Sequence, residues 1–309
     1  MIAALPSIVS RLRLKQLRLL IALDEQGSVH RAAEQVFISQ PGATKSLHEI
    51  ENTFGAELFT RNSQGLVPND LGRCVIRYAR LIHSDVAHLR EEMVGILQGH
   101  GGRLSVGTIM GAVPMLMRAL GRLRRKQPEL SVEIVEDTSA RLLGLVDQGR
   151  LDLAICRSSV SQRPDAYDCL TLHPEQLTVV AHPDHPARVA TLELADLSIY
   201  RWVVYPANMP MRLLLEREFS QCGLEFPRYP VETASTFTML SLLQEDPELV
   251  AVMPLAVAEF SERFGMIRRL PLNLQSRSEP YGVIARHGST LSAAAQLLLE
   301  ELQTEQLSV

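Results

Sequence analysis

Residues 28–61 read SVHRAAEQVFISQPGATKSLHEIENTFGAELFTR, and this stretch decides the fold of the N-terminal part of the chain. Ser28 can cap one helix, and Ser39 can cap a second helix that Gly55 ends. Residues 14–26, just before, carry leucines at helical spacing. Three short helices in a row, the last two joined by a tight turn, predict a helix-turn-helix.

A β-hairpin is expected directly after these helices, within residues 56–70. Two short apolar segments flank the turn-forming sequence NSQG at 62–65. Turn residues between strand-like segments favour a hairpin. The hairpin would be the wing, so we predict a winged helix-turn-helix domain over residues 1–69.

A single long helix is predicted over residues 70–98. Its apolar positions repeat at alternating spacings of four and three residues, which is the heptad pattern of a seam between two helices. The expected dimer seam consists of Val75, Ala79, Ile82, Val86, Leu89, Met93 and Ile96. The alternative is an amphipathic helix that lies on its own domain. Glycines at 99, 101 and 102 predict a hinge over residues 99–103.

After the hinge, predicted strands and helices alternate through residues 104–309. The strands are expected at 104–109, 132–137, 151–156, 177–182, 200–205, 231–235, 249–254 and 280–285, and the helices at 112–127, 139–149, 210–222 and 289–306. This alternation predicts parallel sheets with crossover helices. The fold class is therefore α + α/β with two C-terminal α/β lobes. We expect lobe I to hold about 104–164 and 249–309, and lobe II about 165–248.

Charge and hydropathy exclude several classes of protein. No stretch reaches the ~20 consecutive apolar residues of a membrane span, and basic residues interrupt the first twenty positions where a signal peptide would be apolar. We therefore expect a cytoplasmic protein with no membrane partner. The net charge of −4 is uneven: residues 1–90 hold eleven Lys/Arg and eight Asp/Glu, giving +3, so the remainder carries −7. This asymmetry favours a nucleic-acid-binding module joined to a second domain.

Sequence motifs for catalysis and metal binding are absent. Cys74, Cys156, Cys169 and Cys222 form no CxxC pair, so we expect neither a disulfide framework nor a metal site. The sequence has no GxSxG, HExxH or GxxxxGK[ST] motif. We therefore expect no enzyme and no cofactor.

Residues 28–61 resemble the signature of LysR-type transcriptional regulators. The matching residues are Ser28, Ala32, Ala33, Glu34, Ser39, Gln40, Pro41, Glu51, Gly55, Leu58, Phe59 and Arg61. The hinge, the two lobes and the chain length resemble that family too, and the opening sequence is similar to its branch controlling sugar and aromatic-acid catabolism. The resemblance implies an activator, often repressing its own gene, whose partners are double-stranded DNA, RNA polymerase, a small-molecule effector and further copies of itself as a homodimer or homotetramer.

The expected DNA contacts lie at the start of the second helix of the motif and in the wing. Ser39 would satisfy the free N–H groups of the helix start, and Gln40 can pair with adenine. The family places contacts at Gln40, Pro41, Thr44, Lys45 and Arg61, while Arg31 and Arg61 suit backbone phosphates. The alternative for each is a surface or packing role. Gly42 departs from the family, where Ala is common.

The C-terminal part resembles a periplasmic-binding-protein-like sensor that closes a cleft around a small ligand. Ligands of α/β sheets bind at strand ends and helix starts. The effector-binding candidates at such places are Thr108, Thr138, Ser139, Arg157, Asn208, Arg212, Ser235 and Thr236. Hydroxyls, helix starts and arginines favour an anionic metabolite. The alternatives are that Ser139 and Asn208 cap helices, that Thr108 and Ser235 are turn residues, and that Arg157 and Arg212 pair with surface acids.

Overall fold

The computed structural model describes residues 2–62, 65–98 and 102–306. The chain divides into two compact units. One unit holds residues 1–104, 129–131 and 144–152, and the other holds 105–128, 132–143 and 153–309.

The N-terminal unit begins with four helices and a hairpin. These are α1 Leu5–Arg11, α2 Leu14–Gln26, α3 Val29–Gln35, α4 Gln40–Phe54, β1 Phe59–Asn62 and β2 Gly65–Pro68. The predicted helix-turn-helix and wing are confirmed, and α2 and α4 end at Gly27 and Gly55 in the left-handed conformation. Helix α1 was not predicted, because seven residues are too few to show a helical period.

The core of this unit requires small residues in α3. Ala32 and Ala33 are at most 1% exposed, and their small side chains let α3 pack closely against α2 and α4. The wing is attached through glycines: Leu66 N donates a hydrogen bond to Gly27 O (2.9 Å). A Cβ on Gly65, which has φ +113°, would lie 2.6 Å from the same carbonyl oxygen. Only glycine fits there.

Helix α5 spans Asp70–Gln98, as predicted. Its first turns pack into the core of the same domain: Ala79 is 1% exposed and Val75 is partly buried against that core. Ala79 therefore packs on the chain's own domain, as the alternative interpretation states, while Val75 is only partly buried there and remains a predicted seam residue. The reason for this packing is that α2 lies against this end of α5.

Two five-stranded sheets follow residue 102. The strands are β3 Arg103–Thr108, β4 Ser131–Glu136, β5 Leu153–Cys156, β6 Tyr167–Pro174, β7 Leu177–Ala181, β8 Arg201–Val204, β9 Val231–Glu232, β10 Leu249–Pro254, β11 Arg268–Arg269 and β12 Pro280–Arg286. The helices are α6 Val113–Lys126, α7 Ser139–Asp147, α8 Pro210–Gln221, α9 Thr236–Glu245, α10 Leu255–Arg263 and α11 Ala293–Gln306. The sheet of lobe I has the order β4-β3-β5-β12-β6, and the sheet of lobe II has the order β11-β7-β10-β8-β9.

The strand order corrects the expected lobe boundaries. Strand β10 pairs antiparallel with β7 and parallel with β8, so residues 249–254 belong to lobe II and not to lobe I. Residues 167–174 were expected within lobe II and were not predicted as a strand, but they form β6, which pairs with β12 in lobe I. The chain therefore crosses between lobes at 175–176 and returns at 270–279. Every residue of β10 is buried, and such an apolar run does not reveal which sheet contains it.

Candidate nucleic-acid interface and ligand cleft

The start of α4 is a capped helix end. Gly42 N donates a hydrogen bond to Ser39 Oγ (3.2 Å), so the predicted N-cap is confirmed. Thr44 Oγ1 donates to Gln40 O (3.1 Å) one turn later. A Cβ on Gly42 would lie 3.1 Å from Ser39 Oγ, closer than ordinary van der Waals contact. Glycine at this position therefore leaves room for the cap.

One face of α4 presents a row of mostly polar side chains. The residues Gln40, Pro41, Thr44, Lys45 and His48 line one shallow depression of the surface. Gln40, Thr44 and His48 follow one another at intervals of four residues, as do Pro41 and Lys45, which places each series along one side of the helix. His48 was missed by the sequence reasoning, although it lies four residues after Thr44. Of the remaining DNA candidates, Arg31 on α3 and Arg61 in β1 are also exposed.

Glu51 connects α4 to the wing. Its side chain is 14% exposed, and Leu58 N donates a hydrogen bond to Glu51 Oε1 (2.9 Å) just before β1. His48 Nδ1 lies 3.8 Å from the other carboxylate oxygen. This carboxylate therefore fixes the strand that carries Arg61 relative to the exposed face of α4.

Arg80 fixes α5 on α2. Its guanidinium donates to Asp24 Oδ2 (2.7 Å) and Glu25 Oε1 (3.0 Å). The hydrogen bond from Gln35, together with the nearby Arg80, lowers the pKa of the Glu25 carboxyl below its usual value despite partial burial. The direction of α5 is thus set by the helix-turn-helix itself.

Beyond that anchor, α5 carries apolar side chains on its surface. Ile82, Val86, Leu89 and Met93 are between 38% and 57% exposed in the single chain. The side chain of Ile96, the last predicted seam residue, lies outside the described residues, as do hinge residues 99–101. Four seam residues therefore form an apolar row along the helix.

The lobe I candidates for the ligand cleft face inward. Thr108 is fully buried and donates from Oγ1 to Ile109 O (3.0 Å). Ser139 Oγ accepts a hydrogen bond from Arg157 N (3.2 Å). The Arg157 guanidinium pairs with Glu175 Oε2 (2.7 Å), and the two side chains are 9% and 5% exposed. Thr138 is the exception, since it is exposed.

Arg212 in lobe II is also committed to internal partners. It donates to Glu216 Oε1 (2.7 Å) and Glu232 Oε1 (2.9 Å), and its guanidinium carbon lies 4.3 Å from the Phe226 ring centre. The alternative interpretation, pairing with surface acids, therefore describes Arg212, whereas Arg157 pairs with the buried Glu175. Asn208 is exposed and precedes the residue at the helix N-cap position, Met209.

The start of α9 faces a turn of lobe I. Ser235 caps the helix by accepting from Thr238 N (3.2 Å). Thr236 Oγ1 contacts Met110 Sδ, and Tyr205 Oη lies 3.8 Å from the same sulfur. Burial, with Glu175 and Glu136 nearby, raises the pKa of Tyr205 above its usual range, so the phenol is neutral. The structure thus brings Thr236 and Tyr205 together around the sulfur of Met110, and Tyr205 was not among the predicted residues.

Across residues 2–62, 65–98 and 102–306, which the structure describes, no three His, Cys, Asp or Glu side chains are grouped as a metal site would require. In the same residues, no helix is long and apolar enough to span a membrane.

Comparison with known proteins identifies the family. The family description "Bacterial regulatory helix-turn-helix protein, lysR family" matches residues 14–73, and "LysR substrate binding domain" matches residues 97–306. The chain belongs to the LysR family of transcription regulators. Over 297 residues, this LysR regulator is 33% identical to the HTH-type transcriptional regulator GbpR of Azospirillum brasilense, which covers 95% of this chain and 86% of that protein.

Solved structures share the fold of this LysR regulator. The LysR family regulator CbnR superposes with a TM-score of 0.63 at 19% identity, over 96% of this chain and 99% of that chain. Full-length CbnR in a complex with its target DNA gives the same TM-score at 20% identity, over 95% and 100% of the two chains. The winged helix-turn-helix and the two-lobed α/β domain are therefore those of full-length LysR regulators.

Proposed function

We propose that this LysR regulator reads a specific duplex DNA sequence with the exposed face of α4, and that a small molecule bound between the two lobes switches its action. The observation that carries the proposal is the row formed by Gln40, Pro41, Thr44, Lys45 and His48 at a capped helix start. An α-helix fits the major groove of B-DNA, where base pairs are distinguishable. CbnR, whose fold this chain shares, was solved bound to its target DNA.

The side chains of this face suit complementary tasks. Gln40 can accept from and donate to one adenine, and Lys45 can reach guanine or a phosphate. Thr44 presents its methyl group beside them while its hydroxyl bonds within the helix. Arg31 and Arg61, exposed on either side of α4 in the chain, would contact phosphates and add affinity without sequence information. Ser39 would position these groups through its cap.

A second copy would pair along α5. The four exposed apolar residues from Ile82 to Met93 continue the heptad pattern, and such a row is stable in water when another helix covers it. A two-fold dimer would present two α4 helices to half-sites of an inverted repeat, centred about 34–36 Å apart. Further pairing of dimers would give the homotetramer that the family resemblance implies.

The effector would bind where Tyr205 and Thr236 meet the Met110 turn. The anionic ligand expected from the sequence rested on Arg157 and Arg212, and carboxylates of the same chain neutralise both. The geometry therefore no longer favours an anion. We propose a small molecule held by hydroxyl and apolar groups, which shifts the relative population of lobe arrangements. The regulator would act in the cytoplasm as an activator that contacts RNA polymerase, and not as an enzyme.

Selection of bound duplexes from a random DNA library tests the proposal. The expected product is an inverted repeat, because one dimer presents the same helix twice. A variant with Leu89 replaced by lysine should select single half-sites or bind weakly, since a charge in the seam opposes pairing. If the selected duplexes share no sequence motif and differ from the library only in base composition, sequence-specific reading by α4 is contradicted.

A further inference from the structure

The two segments that connect the lobes meet at one buried polar cluster. Strand β6 ends at Pro174 and runs into the first crossover, while β12 begins at Pro280 after the second, and these two prolines are paired in register. The lobes are thus joined by two adjacent segments, and side chains at their ends can hold or release both at once.

Glu175, in the first crossover, is the centre of this cluster. Its Oε2 accepts a hydrogen bond from Arg157 Nη2 (2.7 Å) at the end of β5. Its backbone N donates to Ser278 Oγ (3.1 Å), and Ser278 Oγ lies 3.1 Å from Glu175 O. Ser278 and Glu279 belong to the second crossover. Arg157 Nη2 also donates to Ser278 Oγ (3.1 Å), and Arg157 Nε donates to Glu279 O (3.1 Å). One guanidinium therefore fixes both crossovers to the sheet of lobe I.

The other carboxylate oxygen of Glu175 occupies space that a glycine leaves open. A Cβ added to Gly111, in the turn after β3, would lie 1.7 Å from Glu175 Oε1 and 3.3 Å from Pro254 Cβ. Pro254 ends β10 of lobe II. The carboxylate therefore fits between the two lobes only because residue 111 has no side chain.

We propose that the Arg157–Glu175 ion pair is a lock on the interlobe hinge. While Glu175 is paired with Arg157, both crossovers are held to lobe I. The lobes can rearrange only when the Glu175 carboxylate separates from the Arg157 guanidinium. This inference rests on the proposed effector switch: a ligand that binds better to the released arrangement shifts the regulator toward it. The unresponsive state is then stabilised by the chain's own carboxylate.

Three single variants of the full-length chain test the lock. Glu175→Gln keeps the size of the side chain and removes the charge that Arg157 binds. Gly111→Ala changes neither Arg157 nor Glu175, but its added methyl group displaces the Glu175 carboxylate from its position. Gly121→Ala, in α6, is the matched control, because a Cβ there meets nothing within 4 Å.

Hydrogen exchange followed by mass spectrometry reads out the hinge directly. The lock predicts that Glu175→Gln and Gly111→Ala both raise exchange by roughly tenfold or more in peptides covering 174–178 and 276–281, while peptides from α6 and α11 keep wild-type rates. Gly121→Ala should match wild type throughout. Unchanged hinge exchange in both variants would overturn the proposal. Equal acceleration in every peptide, or failure to fold, would overturn it too, because the cluster would then be part of the folding core.

DNA binding of the same preparations separates this inference from the proposed function. All four proteins should bind the selected DNA with affinities within about threefold of one another, since the cluster lies in the lobes and not in the helix-turn-helix. If the wild type does not bind DNA specifically, the proposed function is contradicted. The exchange rates would still show whether the Arg157–Glu175 pair holds the hinge.

Discussion

Replacement of Arg212 by alanine should destabilise lobe II and not merely weaken a ligand response. The side chain is 11% exposed and serves four partners: Glu216, Glu232, the Tyr205 carbonyl (3.2 Å) and the Phe226 ring. Both carboxylates are about half exposed, at 40% and 47%, so each ion pair contributes about 0.5 kcal/mol. The cation–π contact contributes about 1 kcal/mol, and the abandoned carbonyl costs about 1 kcal/mol. The expected loss of unfolding free energy is about 3 kcal/mol.

Urea denaturation followed by tryptophan fluorescence measures this loss in lobe II alone. Trp202 is the only tryptophan of the chain and is 1% exposed in β8. With a slope of about 2 kcal/mol per molar urea, Arg212→Ala should lower the midpoint by roughly 1.5 M. The matched control is Arg217→Ala, an exposed arginine of the same helix, which should change stability by less than about 0.5 kcal/mol. If Arg212→Ala unfolds at the same urea concentration as the wild type, Arg212 does not stabilise lobe II, and its predicted role in ligand binding stands again.

Three further predictions concern other parts of the chain. Gly72→Ala should cost about 3 kcal/mol in the DNA-binding domain, because its Cβ would lie 2.0 Å from Leu58 O; DNA affinity should fall while the tryptophan transition of lobe II stays in place. Alkylation at pH 8, read by mass spectrometry, should spare Cys156, whose pKa burial raises to about 12, and label the three exposed cysteines. The hydrogen bond to Asp168 raises the pKa of His287, so its NMR titration midpoint should exceed 6.5 and should fall in Asp168→Asn; an unchanged midpoint would contradict the pairing.

Local signals in the sequence were sufficient for the helix-turn-helix and the wing, but not for the short helix α1. Ser39 and Gly55 mark the ends of α4 because a cap and a left-handed glycine act within one helical turn. The wing follows from turn residues within four positions. Exposed candidates such as Gln40 and Lys45 could be named because they lie at the start of this capped helix, where the family resemblance implies DNA contacts.

Long-range pairing limited the prediction of the lobes. Glu175 is 18 residues from Arg157, so no local pattern shows that this guanidinium is neutralised. Arg212 has one local partner, Glu216 at i+4, but its second partner, Glu232, is 20 residues away. The sheet that contains β10 is decided by its strand neighbours, not by its own apolar sequence. The same limit explains why Tyr205 was missed.

The central claim is that the exposed face of α4 reads DNA sequence. A mobility-shift titration against the gene's own upstream region, at one fixed salt concentration, tests it with wild type, Gln40→Ala and Lys45→Ala. The control is Asn52→Ala, an exposed residue at the far end of the same helix. Wild type and control should bind specifically, and each of the other two variants should lose about 1–3 kcal/mol of binding free energy. Equal binding by all four proteins, or wild-type binding no tighter than to random DNA, would contradict the central claim.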